Sequence, residues 1–191
     1  MGDAQPVHRY TVAEYLALEE VAEYRSEYFE GEIFAMAGAS GEHNLIAKEC
    51  SRAIDDATNG SGCQTALLDL KVRIEGSSVY YYPDVAVVCG KFLYEDEKRT
   101  ILTNPIVLIE VLSDSTAEFD RVKKFIRYRQ ISTLREYVLI SQNEPLVDVY
   151  YKTEGGFWRF DNYNGLDAVM ELRSLGIQIK LADIYRRVEF A

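Results

Sequence analysis

Two acidic residues interrupt otherwise apolar runs. Asp84 follows Pro83 at the head of DVAVVC, and Glu110 lies inside IVLIEVL between Ile109 and Val111. Runs so nearly continuous in apolar residues mark strands covered on both faces. A carboxylate buried in such a strand is strongly disfavoured unless it is paired, hydrogen-bonded or metal-bound. Carried on adjacent strands, the two acids supply hard oxygen ligands that suit Mg²⁺ or Mn²⁺. The plainer alternative has Asp84 capping a turn after Pro83 and Glu110 pairing with an arginine from a neighbouring helix.

The third member lies on the helix after the Glu110 strand. Asp120, Lys124 and Tyr128 are spaced i, i+4, i+8 and line one face of a helix. A short connection brings the start of that helix back over the strand ends, where a lysine can approach a site between Asp84 and Glu110. The helical wheel argues the other way. Lys124 lies roughly 150° from the apolar stripe Val122, Phe125 and Ile126, so burial of that stripe sends the lysine to solvent. RVKK then reads as a solvated charge run, and Lys123 competes with Lys124 for any role.

These residues need elements to carry them. Thr11 with Glu14 three residues on is a capping box opening the helix TVAEYLALEEV. EYFEGEIFAMAG reads as two short strands about Gly31, AGASGEH as a loop, and HNLIAKECSRAIDDA as a helix from His43 that ends before Asn59-Gly60. TALLDLKVRI, SVYYYPDVAVVC and PIVLIEVLS are strand segments rich in β-branched and aromatic residues. FLYEDEKRTILTNP between them reads as a surface loop. Ser115-Thr116-Ala117-Glu118 is a second capping box, opening a helix to about Ser132. REYVLIS is a strand, PLVDVYYK and FWRFDNY form a hairpin around Glu154-Gly155-Gly156, and the tail holds a strand at 177–180 and the helical turn LADIYRR. The expected class is α/β in the mixed α+β sense, a central mixed sheet flanked by helices with an additional β-hairpin region. Residues 1–191 are expected to form one domain.

Composition limits the function. Asp and Glu number 31 against 21 Lys and Arg, so the net charge is 21 − 31 = −10. That lacks the basic footprint of a polyanion binder and favours a partner other than nucleic acid, unless a carboxylate-held divalent cation reverses the field locally. No apolar run approaches a membrane span, and MGDAQPVHRYTV lacks the apolar core of a signal peptide. Cys50, Cys63 and Cys89 cannot close a disulfide framework and show no zinc spacing, which fits a reducing cytoplasm. Cys89, ending YPDVAVVC, reads as a small buried hydrophobe. Tyr80–Tyr82 are taken as core rather than a base-stacking platform, because no basic residues interleave with them.

With these motifs in view, the chain resembles the PD-(D/E)XK nuclease superfamily of restriction-endonuclease-like fold, and more narrowly its Uma-two family of restriction endonucleases. The likeness runs from the TVAEYLAL helix to LADIY. It is carried by RSEYFEGEIFAMAGASGEH, YYYPDVAVV, PIVLIEVLSDSTAEFDRVKKFIRY and LREYVLIS. It implies Asp84 as the PD aspartate and Glu110 as the acid of the (D/E)XK element. The third position of that element is Leu112, so the likeness is to the branch whose lysine sits on the following helix, at Lys124. It also implies Glu27 as a further acid of the metal site and His43 as a site histidine, whereas a histidine opening a helix is otherwise a cap. Asp120 and Tyr128 would steady the lysine. Asp114, Val138 and Ser141 depart from the family's usual Pro, Trp and Asp.

The resemblance implies a metal-dependent DNA endonuclease using Mg²⁺ or Mn²⁺, working in the cytoplasm as a homodimer on an unspecified DNA target. The rival expectation is a catalytically silent member of the fold that serves as a binding or interaction module. A glycoside hydrolase using paired carboxylates is disfavoured, since Trp158 is the single tryptophan available to stack on a sugar.

Overall fold

The computed structural model describes residues 8–190 apart from Ala37, Leu68 and Ser115. The capping box expected at Ser115 therefore falls partly outside the described residues. α1 (Val12–Val21) opens as expected: Thr11 Oγ1 accepts from Glu14 N–H at 3.2 Å, and Glu14 Oε2 accepts from Thr11 N–H at 2.7 Å. β1 (Ser26–Phe29) and β2 (Glu32–Ala35) form a hairpin whose turn, Glu30-Gly31, holds φ of 46° and 102°. Positive φ at both turn positions matches the twist of the flanking strands and calls for glycine at the second. α2 (Gly41–Ala57) starts two residues before the expected His43, because the Ser40 hydroxyl accepts the His43 N–H at 3.1 Å.

The strand-rich middle differs from its expected form. TALLDLKVRI divides into β3 (Cys63–Leu67) and β4 (Lys71–Arg73), and SVYYYPDVAVVC into β5 (Val79–Tyr81) and β6 (Val85–Cys89). In each case the two halves belong to different sheets. Pro83 lacks the N–H a continuous ladder needs, so the chain leaves one sheet before it and joins the next after it. Tyr82 is pinned at the crossing, its hydroxyl donating to Glu19 Oε1 at 2.7 Å and its N–H to Glu27 Oε1 at 3.3 Å. The expected surface loop 92–105 contains β7 (Ile101–Leu102), which pairs in parallel with β4.

β8 (Val107–Leu112) leads through a helical segment to β9 (Glu136–Ser141), its parallel neighbour. β10 (Leu146–Lys152) and β11 (Trp158–Asn164) form the expected hairpin. β12 (Val169–Leu172), which sequence reading missed, pairs with β13 (Ile177–Lys180) ahead of α4 (Leu181–Ile184). The central sheet has six strands in the order β11-β10-β9-β8-β6-β3, and the second sheet five in the order β2-β1-β5-β4-β7. Both mix parallel and antiparallel pairs.

Strand alternation sorts the core into layers. Val85, Val87, Ile109 and Val111 face α2, α4 and the β12–β13 pair. Ala86, Val88, Leu108 and Leu112 face the other way, against Val72, Val79 and Tyr81 of the second sheet and Tyr128 of the helical segment. Tyr15, Tyr28 and Tyr80 fill the layer beneath α1. Glu110 shares the parity of Leu108 and Leu112, so it points into the layer between the two sheets.

The cysteines correct an expectation. Cys63 and Cys89 are register partners at the rim of the central sheet and form a disulfide, leaving Cys50 free and buried. Cys89 is exposed rather than core, and the cysteines no longer argue for a reducing compartment. Sequence reading could not see this, since strand register decides which cysteines meet. The bond closes a loop of sequence separation 26. Cys63→Ser is expected to cost about 3 kcal/mol in thermal or urea unfolding. Unfolding unchanged by the substitution or by reductant would show that the bond constrains nothing.

Candidate active site

The register of β6 against β8 places the two acids. Val85 pairs with Ile109, and carrying the same register one residue further sets Asp84 opposite Glu110. Directly opposed residues stand about 5 Å apart at Cβ. Asp84 is held from two sides: Oδ2 accepts from Val111 N–H at 2.7 Å, and Oδ1 lies 2.8 Å from His43 Nε2 in the first turn of α2. Glu110 is held through one oxygen, Oε1 accepting from Lys124 Nζ at 3.1 Å and from the Tyr128 hydroxyl at 2.9 Å. The arginine partner of the plainer reading is absent among the described bonds to Glu110.

The helical segment carries Lys124 in an unusual way. A π-helical turn, Phe119–Lys124, runs directly into α3 (Phe125–Tyr128). A spacing of four overshoots one α-helical turn by about 40°. A π turn holds more than four residues and undershoots instead. The step from Asp120 to Lys124 is π-helical and that from Lys124 to Tyr128 is α-helical, so the two deviations offset. All three side chains stay on one face, and all three are buried. Two of the stripe residues that the wheel assigned to the core face outward, Val122 52% exposed and Ile126 43%. The third, Phe125, packs inward against Tyr137, Tyr150 and Trp158. The solvated reading of RVKK survives only for Lys123, which is exposed. The helix ends at Tyr128 rather than near Ser132, and Ile131 and Leu134 turn into the core.

Lys124 is the hub. Its Nζ lies 2.9 Å from Glu27 Oε1, 3.1 Å from Glu110 Oε1 and 3.3 Å from Asp120 Oδ1, although the residue is only 6% exposed. Burial works against its charge, but the carboxylates of Glu110, Glu27 and Asp120 outweigh this and hold its pKa well above the ordinary lysine value. Burial pushes the Glu110 carboxyl well above the ordinary glutamate range. Lys124 opposes that shift, while Asp120, Asp84 and Glu27 add to it. Glu27 comes from β1 of the second sheet, so the cluster joins both sheets and the helix. It draws together Glu27, His43, Asp84, Glu110, Asp120, Lys124 and Tyr128, while Lys123 stands apart.

Sequence reasoning missed two contributors. Tyr81 lays its ring 5.5 Å from Lys124 Nζ, and the main-chain N–H of Tyr82 anchors Glu27. Local periodicity carried no signal for either, since Tyr81 reaches the site through the β1–β5 register, which extended by one pair sets it opposite Glu27.

Among the described residues no group of three or more His, Cys, Asp and Glu is gathered as a ready-made metal cage. The donor set nonetheless fits a hard divalent cation. Asp84, bonded to the Val111 N–H next to Glu110, and Glu110 itself offer only oxygen ligands, the described bonds to Glu110 leave Oε2 open, and Mg²⁺ is commonly held by one or two carboxylates with water completing its shell.

Two mixed sheets flanked by helices place the chain in the restriction-endonuclease-like class of fold. A solved structure supports this placement: that of a "putative nuclease belonging to DUF820" from Anabaena variabilis ATCC 29413 superposes with a TM-score of 0.76 at 22% identity, covering 93% of this chain and 98% of that one. Residues 12–182 match the Uma2 family, described as "Putative restriction endonuclease", and the chain belongs to that family. It is also 36% identical over 186 residues to the uncharacterized protein slr1290 of Synechocystis sp. (strain ATCC 27184 / PCC 6803 / Kazusa), covering 97% of this chain and 96% of that one. A second protein of that strain, uncharacterized protein sll1609, is 36% identical over 167 residues, 87% of this chain and 94% of its own. No helix among the described residues is long and apolar enough to cross a membrane.

Proposed function

We propose that the chain is a divalent-cation-dependent endonuclease that hydrolyses phosphodiester bonds in DNA. The observation that carries this reading is that Asp84 is bonded to the Val111 N–H, next to Glu110, whose own carboxylate meets a buried lysine. Asp84 and Glu110 would hold Mg²⁺ or Mn²⁺, which when bound supplies Lewis acidity to the phosphoryl oxygen and acidifies a coordinated water. His43 and the Val111 N–H fix the Asp84 carboxylate in orientation, and Tyr128 does the same for Glu110. Lys124 keeps its proton, so its part is to orient the attacking water and offset charge developing on the phosphate, rather than to abstract a proton. Glu27 and Asp120 keep that ammonium charged and in place. The net charge of −10 is compatible with a polyanionic substrate only because the cation and Lys124 present positive charge at the point of contact.

One observation favours a second reading, a catalytically silent binding module: Lys124 is already surrounded by the carboxylates of Glu27, Glu110 and Asp120. Plasmid nicking separates the two. Cleavage by the wild-type chain with Mg²⁺ or Mn²⁺, lost in Asp84→Asn, is the expected result. In parallel, cation at 100 times its Kd is expected to stabilise the wild type by about 2.7 kcal/mol and Asp84→Asn by much less. No cleavage and no cation-dependent stabilisation would leave the silent module standing.

A further inference from the structure

The residues beside the cluster form a cavity of about 430 Å³ of which half the lining is aromatic, Phe29 and Phe34 from the β1–β2 hairpin, Tyr81 from β5 and Phe119 from the helical segment, with Glu32 and Ile126 beside them. Its position follows from register. Glu27 pairs with Phe34 and Phe29 with Glu32, and extending the β1–β5 register places Tyr81 opposite Glu27. One face of the second sheet therefore carries Glu27, which grips Lys124, and the aromatic rings in unbroken succession. Tyr81 belongs to both, its ring near Lys124 Nζ on the site side while the same residue walls the cavity. Its hydroxyl is buried without a hydrogen-bond partner among the described residues, an uncompensated polar group of the kind a native interior rarely leaves unused. Lys123 and Arg127 also line the cavity, Lys123 with Nζ 5.8 Å from the Phe119 ring centre and Arg127 stacked 4.9 Å from that of Phe29 while paired with Glu30 at 3.0 Å.

From this arrangement we infer that the cavity receives one unpaired nucleobase of the nucleic acid, adjacent to the phosphate at the acidic cluster. Flat rings offer a stacking surface that any base can use, and the exposed Lys123 beside Phe119 can meet the backbone next to it. The basic residues that the YYY stretch lacks in sequence arrive from the helix some forty positions later. A base can reach such a pocket only from a single strand, a bubble or a flipped position, since in a duplex its faces are covered by stacking. The inference rests on the nuclease reading for the neighbouring phosphate, and it narrows the substrate to nucleic acid with at least one unpaired nucleotide near the cleaved bond.

The test is binding, so that it can fail independently of catalysis. A short single-stranded DNA carrying 2-aminopurine is titrated with the wild-type chain, Ca²⁺ replacing Mg²⁺, and compared with the same strand bearing an abasic site at that position. The expected results are quenched fluorescence and about tenfold tighter binding of the base-containing strand. In Phe34→Ala, which removes a 47% exposed ring without opening the core, the two strands are expected to bind within about twofold of each other; Phe34→Tyr is expected to keep the preference. Equal binding of both strands by the wild type, a preference unchanged in Phe34→Ala, or no binding of either strand would overturn the inference. Base-dependent quenching by a chain that never nicks DNA would overturn the nuclease reading and leave the nucleobase site in place.

Discussion

Glu110→Gln is expected to lower cation-dependent cleavage by about 10²–10³-fold or more while leaving the fold at least as stable as the wild type. The two effects separate because Glu110 is costly to the fold. It sits fully within the apolar layer between the sheets, with Asp84, Asp120 and Glu27 as neighbours, and burial together with those acids favours its neutral form. The amide is nearly isosteric, accepts from Tyr128 and Lys124 through its oxygen, and removes one negative charge from the group. Functional sites often hold such locally unfavourable arrangements, and relieving them commonly trades activity for stability. The measurements are nicking rate and melting temperature, with and without Mg²⁺. A variant that melts well below the wild type yet still nicks DNA would assign Glu110 to the fold instead.

Lys124→Met is expected to act in the opposite sense. Removing the ammonium leaves Glu27, Glu110 and Asp120 facing one another without a countercharge in a buried setting. Breaking a buried ionic group by deleting one partner costs about 3–5 kcal/mol, which for a chain of this size is a fall of about 10 °C or more in melting temperature. Methionine keeps most of the apolar stem volume, so the loss reports charge rather than a cavity. A divalent cation is expected to return part of that stability by supplying charge to the same carboxylates, while cleavage stays lower by about 10²–10³-fold. A variant melting within about 2 °C of the wild type would mean that the acids are already neutral or hydrated. The mechanism assigned to Lys124 could not then stand.

The sequence by itself raised Asp84 and Glu110 as candidates, because a carboxylate at the head of an apolar strand or inside one conflicts with its surroundings wherever the fold places it. It was enough for the Thr11–Glu14 cap and for the Glu30-Gly31 and Glu154–Gly156 turns, where short-range hydrogen bonds and φ preferences decide locally. The phase of Lys124 was beyond it. A wheel assumes 3.6 residues per turn, and the π turn at Phe119–Lys124 exists because Asp120, Lys124 and Tyr128 all gain partners between the sheets. The crossing of the chain from one sheet to the other at Pro83, the pairing of Cys63 with Cys89, and the meeting of Phe34 with Phe119 around one cavity were likewise settled only by the tertiary structure. Each depends on strand register between segments far apart in the chain, and local periodicity carries no information about which distant residue will stand opposite.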